Sequence, residues 1–205
     1  MTVSARVFLL SPARLDGERG RMLTRAGASF PLACALREGC VPLGEVMAFL
    51  SGLYFRGKQA YARAFARPPD DIASGGFIVT SNRGLWPMER PVNARDLDAL
   101  SGGDIDSSDD GYRVPLERDL AALATTAADF ILLGSIASEK YVAPMTAVLG
   151  ERLLFPPAFI GRGDMSRGGL LLRSVESRTE LPYVPVIGAP RHGKRPERLP
   201  PRPRR

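Results

Sequence analysis

Five short apolar runs punctuate the chain: Val7–Leu10, Gly76–Thr80, Asp129–Leu133, Arg152–Phe155 and Tyr183–Ile187. None alternates cleanly between apolar and polar residues, so each reads as a strand covered on both faces. A helix-patterned segment lies between each run and the next. Parallel neighbours need such crossovers, because a tight hairpin can only return a strand antiparallel. The alternation therefore predicts a mostly parallel sheet of about five strands with helices on both faces. Pro185 has no N–H to give a ladder and puts the fifth run at an edge.

The strongest helix pattern spans residues 44–66. Val46, Leu50, Leu53, Gly57, Ala60 and Ala64 recur at three- and four-residue steps. Gly52 and Gly57 each cost about 1 kcal/mol relative to alanine in a helix interior. They predict a close contact with a neighbouring element or a break near Ser51-Gly52. Further helices are expected near Asp16, from Asn93 or Asp96 to Leu100, and over Pro115–Ala128, Ser138–Leu149 and Ser166–Ser177. The segment Phe30–Leu36 is ambiguous, and residues 101–112 read as a surface loop. The expected fold class is α/β, a Rossmann-like three-layer sandwich.

Charge divides the chain in two. Its 205 residues bear a net charge of +6, and residues 189–205 alone account for that excess. Residues 1–188 are formally neutral and are expected to form a single domain. The tail, rich in proline and arginine, has no apolar face and is expected to be disordered. Its arginines could bind nucleic-acid phosphates. No run approaches the roughly 18 apolar residues of a membrane span. With no signal-peptide layout at Met1–Leu10, a cytoplasmic protein without a membrane partner is expected.

In mostly parallel sheets, ligands bind beyond the carboxyl ends of the strands. Four polar segments fall at such ends. They bring Ser11 and Arg14; Ser81, Asn82 and Arg83; Gly134, Ser135 and Lys140; and Gly161, Arg162, Gly163, Ser166 and Arg167. The last segment, Ile160–Gly169, concentrates glycine, arginine and a helix start, the ingredients of an anion site. Its spacing matches neither the dinucleotide fingerprint nor an ATP-hydrolysing phosphate loop. The same residues also fit a structural loop whose arginine and aspartate pair with each other. Ser138 reads equally as a helix cap.

The single histidine, His192, lies in the tail. The body thus lacks a histidine for a Ser-His-Asp triad or for ordinary zinc ligation, and no metal site is expected. Acids and bases must come from Asp, Glu, Lys or Tyr. Asp164 and Glu139 are the candidates here, for glycosidic-bond or nucleobase chemistry on a nucleotide or other phosphorylated ligand. The cofactor is unknown. Arg56, Arg63 and Arg67, with Tyr54 and Lys58, could instead track a nucleic-acid backbone, or form a solvated helix face. Cys34 and Cys40 match no metal or redox spacing and read as buried thiols.

Two segments resemble a known family. Val7-Phe8-Leu9-Leu10-Ser11-Pro12-Ala13-Arg14-Leu15-Asp16 is similar to the opening of the YaaA-like peroxide-stress proteins. Ser81-Asn82-Arg83-Gly84-Leu85-Trp86-Pro87 resembles a loop of the same family, with Arg83 where that loop has tyrosine. The resemblance covers about a tenth of the chain. It implies a Rossmann-like body, DNA binding and a part in limiting oxidative damage.

Overall fold

The computed structural model describes residues 4–200. The chain begins with β1 (Arg6–Leu10), then α1 (Glu18–Thr24), α2 (Pro31–Glu38), β2 (Val41–Pro42), α3 (Leu43–Ser51) and α4 (Leu53–Phe65). There follow β3 (Gly76–Val79), β4 (Leu85–Pro87), β5 (Pro91–Val92), α5 (Ala94–Ser101) and α6 (Asp110–Ala124). It continues with β6 (Asp129–Leu133), α7 (Glu139–Leu149), β7 (Leu153–Phe155), α8 (Asp164–Ser177) and β8 (Val184–Pro185).

The main sheet has six strands in the order β4-β3-β1-β6-β7-β8, and β2 pairs with β5 apart from it. Strands β3, β1, β6 and β7 are parallel. The outer two, β4 and β8, run antiparallel at the edges. The α/β class and the mostly parallel sheet are as the apolar runs predict. β4 falls within the segment expected to be loop, because Leu85–Pro87 returns beside Phe77–Val79.

Alternation along β1 sorts the core. Phe8 and Leu10 pack with the helices α3, α4 and α8, while Val7 and Leu9 pack with α6 and α7. All four are fully buried, as a central parallel strand requires. The result is three layers.

The long helix pattern over 44–66 resolves into two helices. Gly52 has φ +65°, a left-handed value that favours glycine, and it ends α3 and begins α4. Gly57 makes the close contact. A Cβ there would stand 2.8 Å from the Gly168 carbonyl oxygen. A Cβ on Gly168 would stand 2.7 Å from that of Leu53. The two glycines let α4 and α8 cross with their backbones touching.

Asn93 caps α5, its side chain accepting from the Arg95 and Asp96 amides, and Asp96 returns a bond to the Asn93 amide. Helix α6 starts at Asp110, five residues before the expected Pro115, with Asp109 as its cap. Residues 189–200 form no helix or strand and lie against the body. Arg191 pairs with Glu139, and Arg162 donates to the Glu197 carbonyl. The tail residues Arg202, Arg204 and Arg205 fall outside the described residues. No helix among the described residues is long and apolar enough to cross a membrane.

Candidate functional site

Strand β1 is the first in the chain and lies centrally, with β3 on one side and β6 on the other. The chain thus reverses direction across the sheet at β1, the kind of position where α/β sheets open a ligand crevice. Ser11 stands just beyond β1, and Gly134 just beyond β6. A Cβ on Gly134 would stand 3.1 Å from the Ser11 Cβ, so glycine there leaves room for the serine.

A cavity of about 450 Å³ opens over Ser11. Cationic side chains reach it from five directions: Arg14 after β1, Arg19 from α1, Lys58 from α4, Lys140 from α7 and Arg167 from α8. Glu18 and Asp164 are the acids on the same wall, so cations predominate. A second chamber of about 620 Å³ adjoins it, sharing Arg14, Lys140 and Tyr141. That chamber is lined by Ser81, Asp16, Asp104 and Asp106 and is the more acidic half.

Lys58 forms the floor. It is 2% exposed, and its Nζ donates to the Ser11 carbonyl at 2.8 Å and to Ser11 Oγ at 2.6 Å. The Tyr54 ring lies 4.0 Å from the amine. Burial pulls the amine down to about 7, with Asp164 opposing that shift and Arg167 adding to it. The lysine therefore titrates near neutrality. Tyr54 is 5% exposed, and its hydroxyl is buried with no hydrogen-bond partner. Burial also pushes the Tyr54 and Tyr141 phenols up, so both remain hydrogen-bond donors at neutral pH.

The α4–α8 crossing is what assembles this corner. With Gly57 against Gly168, Lys58 and Tyr54 come within electrostatic reach of Asp164 and Arg167. Arg167 is held by the Phe159 carbonyl at 3.2 Å, with Asp164 3.8 Å away.

The expected site residues divide into those at the cleft and those elsewhere. Ser11, Arg14, Ser135, Lys140, Asp164 and Arg167 line the first chamber, and Ser81 the second. Asn82 bonds the Ala99 carbonyl at 2.7 Å, and Arg83 is exposed outside both chambers. Gly134 lies buried beneath the first chamber.

The glycine-rich loop is split. Arg162, Gly163 and Ser166 face a different groove, under residues 195–200. Arg162 bonds the Ala158 carbonyl at 3.0 Å and Ser166 Oγ at 3.1 Å. Gly161 has φ +71°, and a Cβ there would collide with the Lys194 carbonyl. Gly161 and Gly168 thus sit where other stretches of the chain cross, and of this loop Asp164 and Arg167 line the cleft. Glu139 is turned toward Arg191, away from it.

The arginine stripe does not share a face with Tyr54 and Lys58. Arg56, Arg63 and Arg67 are exposed, Arg63 lies 3.3 Å from Glu45 and Arg67 4.0 Å from Glu180. Lys58 and Tyr54 were legible as buried, since Tyr54, Gly57, Lys58, Tyr61 and Phe65 follow the helical three-and-four step. Cys40 is exposed rather than buried, and Cys34 is partly so. Among the described residues no group of His, Cys, Asp and Glu could hold a metal ion.

No protein-family model, curated protein or solved structure matches this chain significantly. The fold and the site together define an α/β protein of Rossmann-like three-layer architecture with a cation-lined crevice at its strand ends.

Proposed function

We propose that the crevice binds a phosphorylated small molecule of nucleotide size. The observation that supports this best is the meeting of Arg14, Arg19, Lys140 and Arg167, from four separate elements, around one cavity. Charge-assisted bonds from such groups are the strong way to hold a phosphate. The adjoining acidic chamber suits the other end of such a ligand. Ser81, Asp104 and Asp106 supply acceptors for sugar hydroxyls or a base. The combined space is within the range of small-molecule sites.

Thermal unfolding of the full chain with inorganic phosphate and a panel of nucleoside monophosphates tests this. A ligand that binds only the folded state raises the midpoint in proportion to the logarithm of its concentration over Kd. A rise is expected with a nucleotide, smaller with phosphate alone, and lost in Arg167→Met and Lys140→Met. No rise with any phosphate-bearing compound at millimolar concentration would refute the reading.

A further inference from the structure

The floor of the crevice holds an arrangement that ligand binding alone does not require. Ser11 Oγ is 2.6 Å from the Lys58 amine, within the span of a nucleophile–base hydrogen bond. The lysine is fixed from behind by the Ser11 carbonyl and from the side by the Tyr54 ring. Ser11 itself is 7% exposed, bonds the Leu133 carbonyl at 3.3 Å, and faces the cavity. The Tyr54 side chain lines the same cavity, and its hydroxyl is buried just behind that lining, near the Arg167 guanidinium, with no hydrogen-bond partner. A ligand oxygen that accepted from it would give this buried donor the partner it lacks.

We propose that Ser11 is a nucleophile with Lys58 as its general base and Tyr54 as the donor to the developing oxyanion, and that the crevice hydrolyses an ester of an anionic small molecule. The proposal rests on the anion-binding reading of the same crevice. The Ser11 hydroxyl turns its proton toward the neutral lysine, and Oγ attacks the ester carbonyl carbon. As the Oγ–C bond forms, the proton passes to Nζ, and Tyr54 donates to the carbonyl oxygen as it gains charge. The bond from carbon to the leaving oxygen then breaks, and that oxygen takes the proton from Lys58. Water attacks the acyl-serine, giving its proton to Lys58. The acyl–Oγ bond breaks, and Lys58 returns the proton to Oγ. One ester and one water become one acid and one alcohol, with serine and lysine restored.

The groups facing the amine are Tyr54 from its own helix and Asp164 and Arg167 from α8. The first two favour the ammonium, and Arg167 opposes it. Burial outweighs them, and the amine is free to act as a base above about pH 7.

The test is covalent labelling of the full chain with an uncharged dialkyl fluorophosphate, which needs no anion site. Ser11 Oγ would displace fluoride from phosphorus, with the proton taken by Lys58. Intact mass and peptide mapping should find one adduct, on Ser11, with a labelling rate that rises with pH about a midpoint near 7. Ser11→Ala should abolish the adduct. Lys58→Met should slow labelling by about 100-fold or more and remove the pH step. Tyr54→Phe, whose ring and packing are unchanged, should slow it about 100-fold while leaving the midpoint in place. The Tyr54→Phe rate and the wild-type pH profile decide the matter even if Lys58→Met does not fold. No adduct on Ser11, or an adduct whose rate ignores pH near 7 and the Tyr54 hydroxyl, would overturn the proposal. Nucleotide stabilisation without Ser11 labelling would leave the binding reading standing and remove the nucleophile. Labelling without any phosphate-dependent stabilisation would do the reverse.

Discussion

Helix α4 buries two tyrosines seven residues apart, Tyr54 near its start and Tyr61 near its end, and they live in opposite circumstances. Tyr61 sits in a closed network. Its hydroxyl lies 2.7 Å from that of Tyr183, accepts from the Leu181 amide at 2.8 Å, and through Tyr183 reaches Glu180. Arg6 and Arg67 neutralise that glutamate. Tyr54 has a buried hydroxyl with no partner, beside an amine whose hydrogen bonds go to neutral oxygens. One end of the helix is complete within the protein, and the other is complete only with something added. Folding alone accounts for the first, and the second points to a ligand.

The difference depends on the α4–α8 crossing, and breaking that should have the largest effect. Gly168→Val would drive its side chain into the Leu53 and Tyr54 backbone and should cost about 3 kcal/mol or more in chemical denaturation.

The next effect is one of pH. Lys58 titrates near 7 when folded and at 10.5 when free. Between those values the unfolded chain binds the extra proton, so stability should rise with pH from about 7 upward. The rise should be on the order of 2 kcal/mol and should flatten in Lys58→Met. Buried tyrosines, whose phenols are raised, oppose it above about pH 10, so the window to measure is pH 7 to 9.5.

The two tyrosines then give a matched pair. Tyr61→Phe should cost about 1–3 kcal/mol, because the Leu181 amide loses its acceptor. Tyr54→Phe should change stability by less than about 0.5 kcal/mol, or increase it, because no bond is lost. Equal costs would erase the contrast. Smallest of all, Arg56→Ala and Arg63→Ala on the exposed face should each fall within about 0.5 kcal/mol.

Much of this contrast was written in the sequence, though not at the residues where motifs drew the eye. Apolar runs located the strands because burial on both faces leaves little else for such segments to be. Gly52 and Gly57 announced a break and a close contact, and both occur. The loop Ile160–Gly169 looked like an anion site because glycine and arginine make one. Two of its glycines, Gly161 and Gly168, admit Lys194 at one end and α4 at the other, and neither neighbour is visible from local sequence. Lys58 was grouped with nearby arginines by charge, whereas its spacing from Tyr54 and Tyr61 put it on the buried face. Periodicity there was the better guide. That Ser11 lies under Lys58, 47 residues away, depends on how α4 returns across β1, and only the fold discloses it.

The most direct test is the titration of Lys58 itself. The chain has three lysines, Lys58, Lys140 and Lys194, so a spectrum of the full protein labelled with carbon-13 at lysine Cε has three signals, and Lys58→Met assigns one. The structure predicts a midpoint near 7 for that signal, shifting when a nucleotide fills the crevice. A midpoint near 10.5 would show an ordinary solvated ammonium and contradict the account.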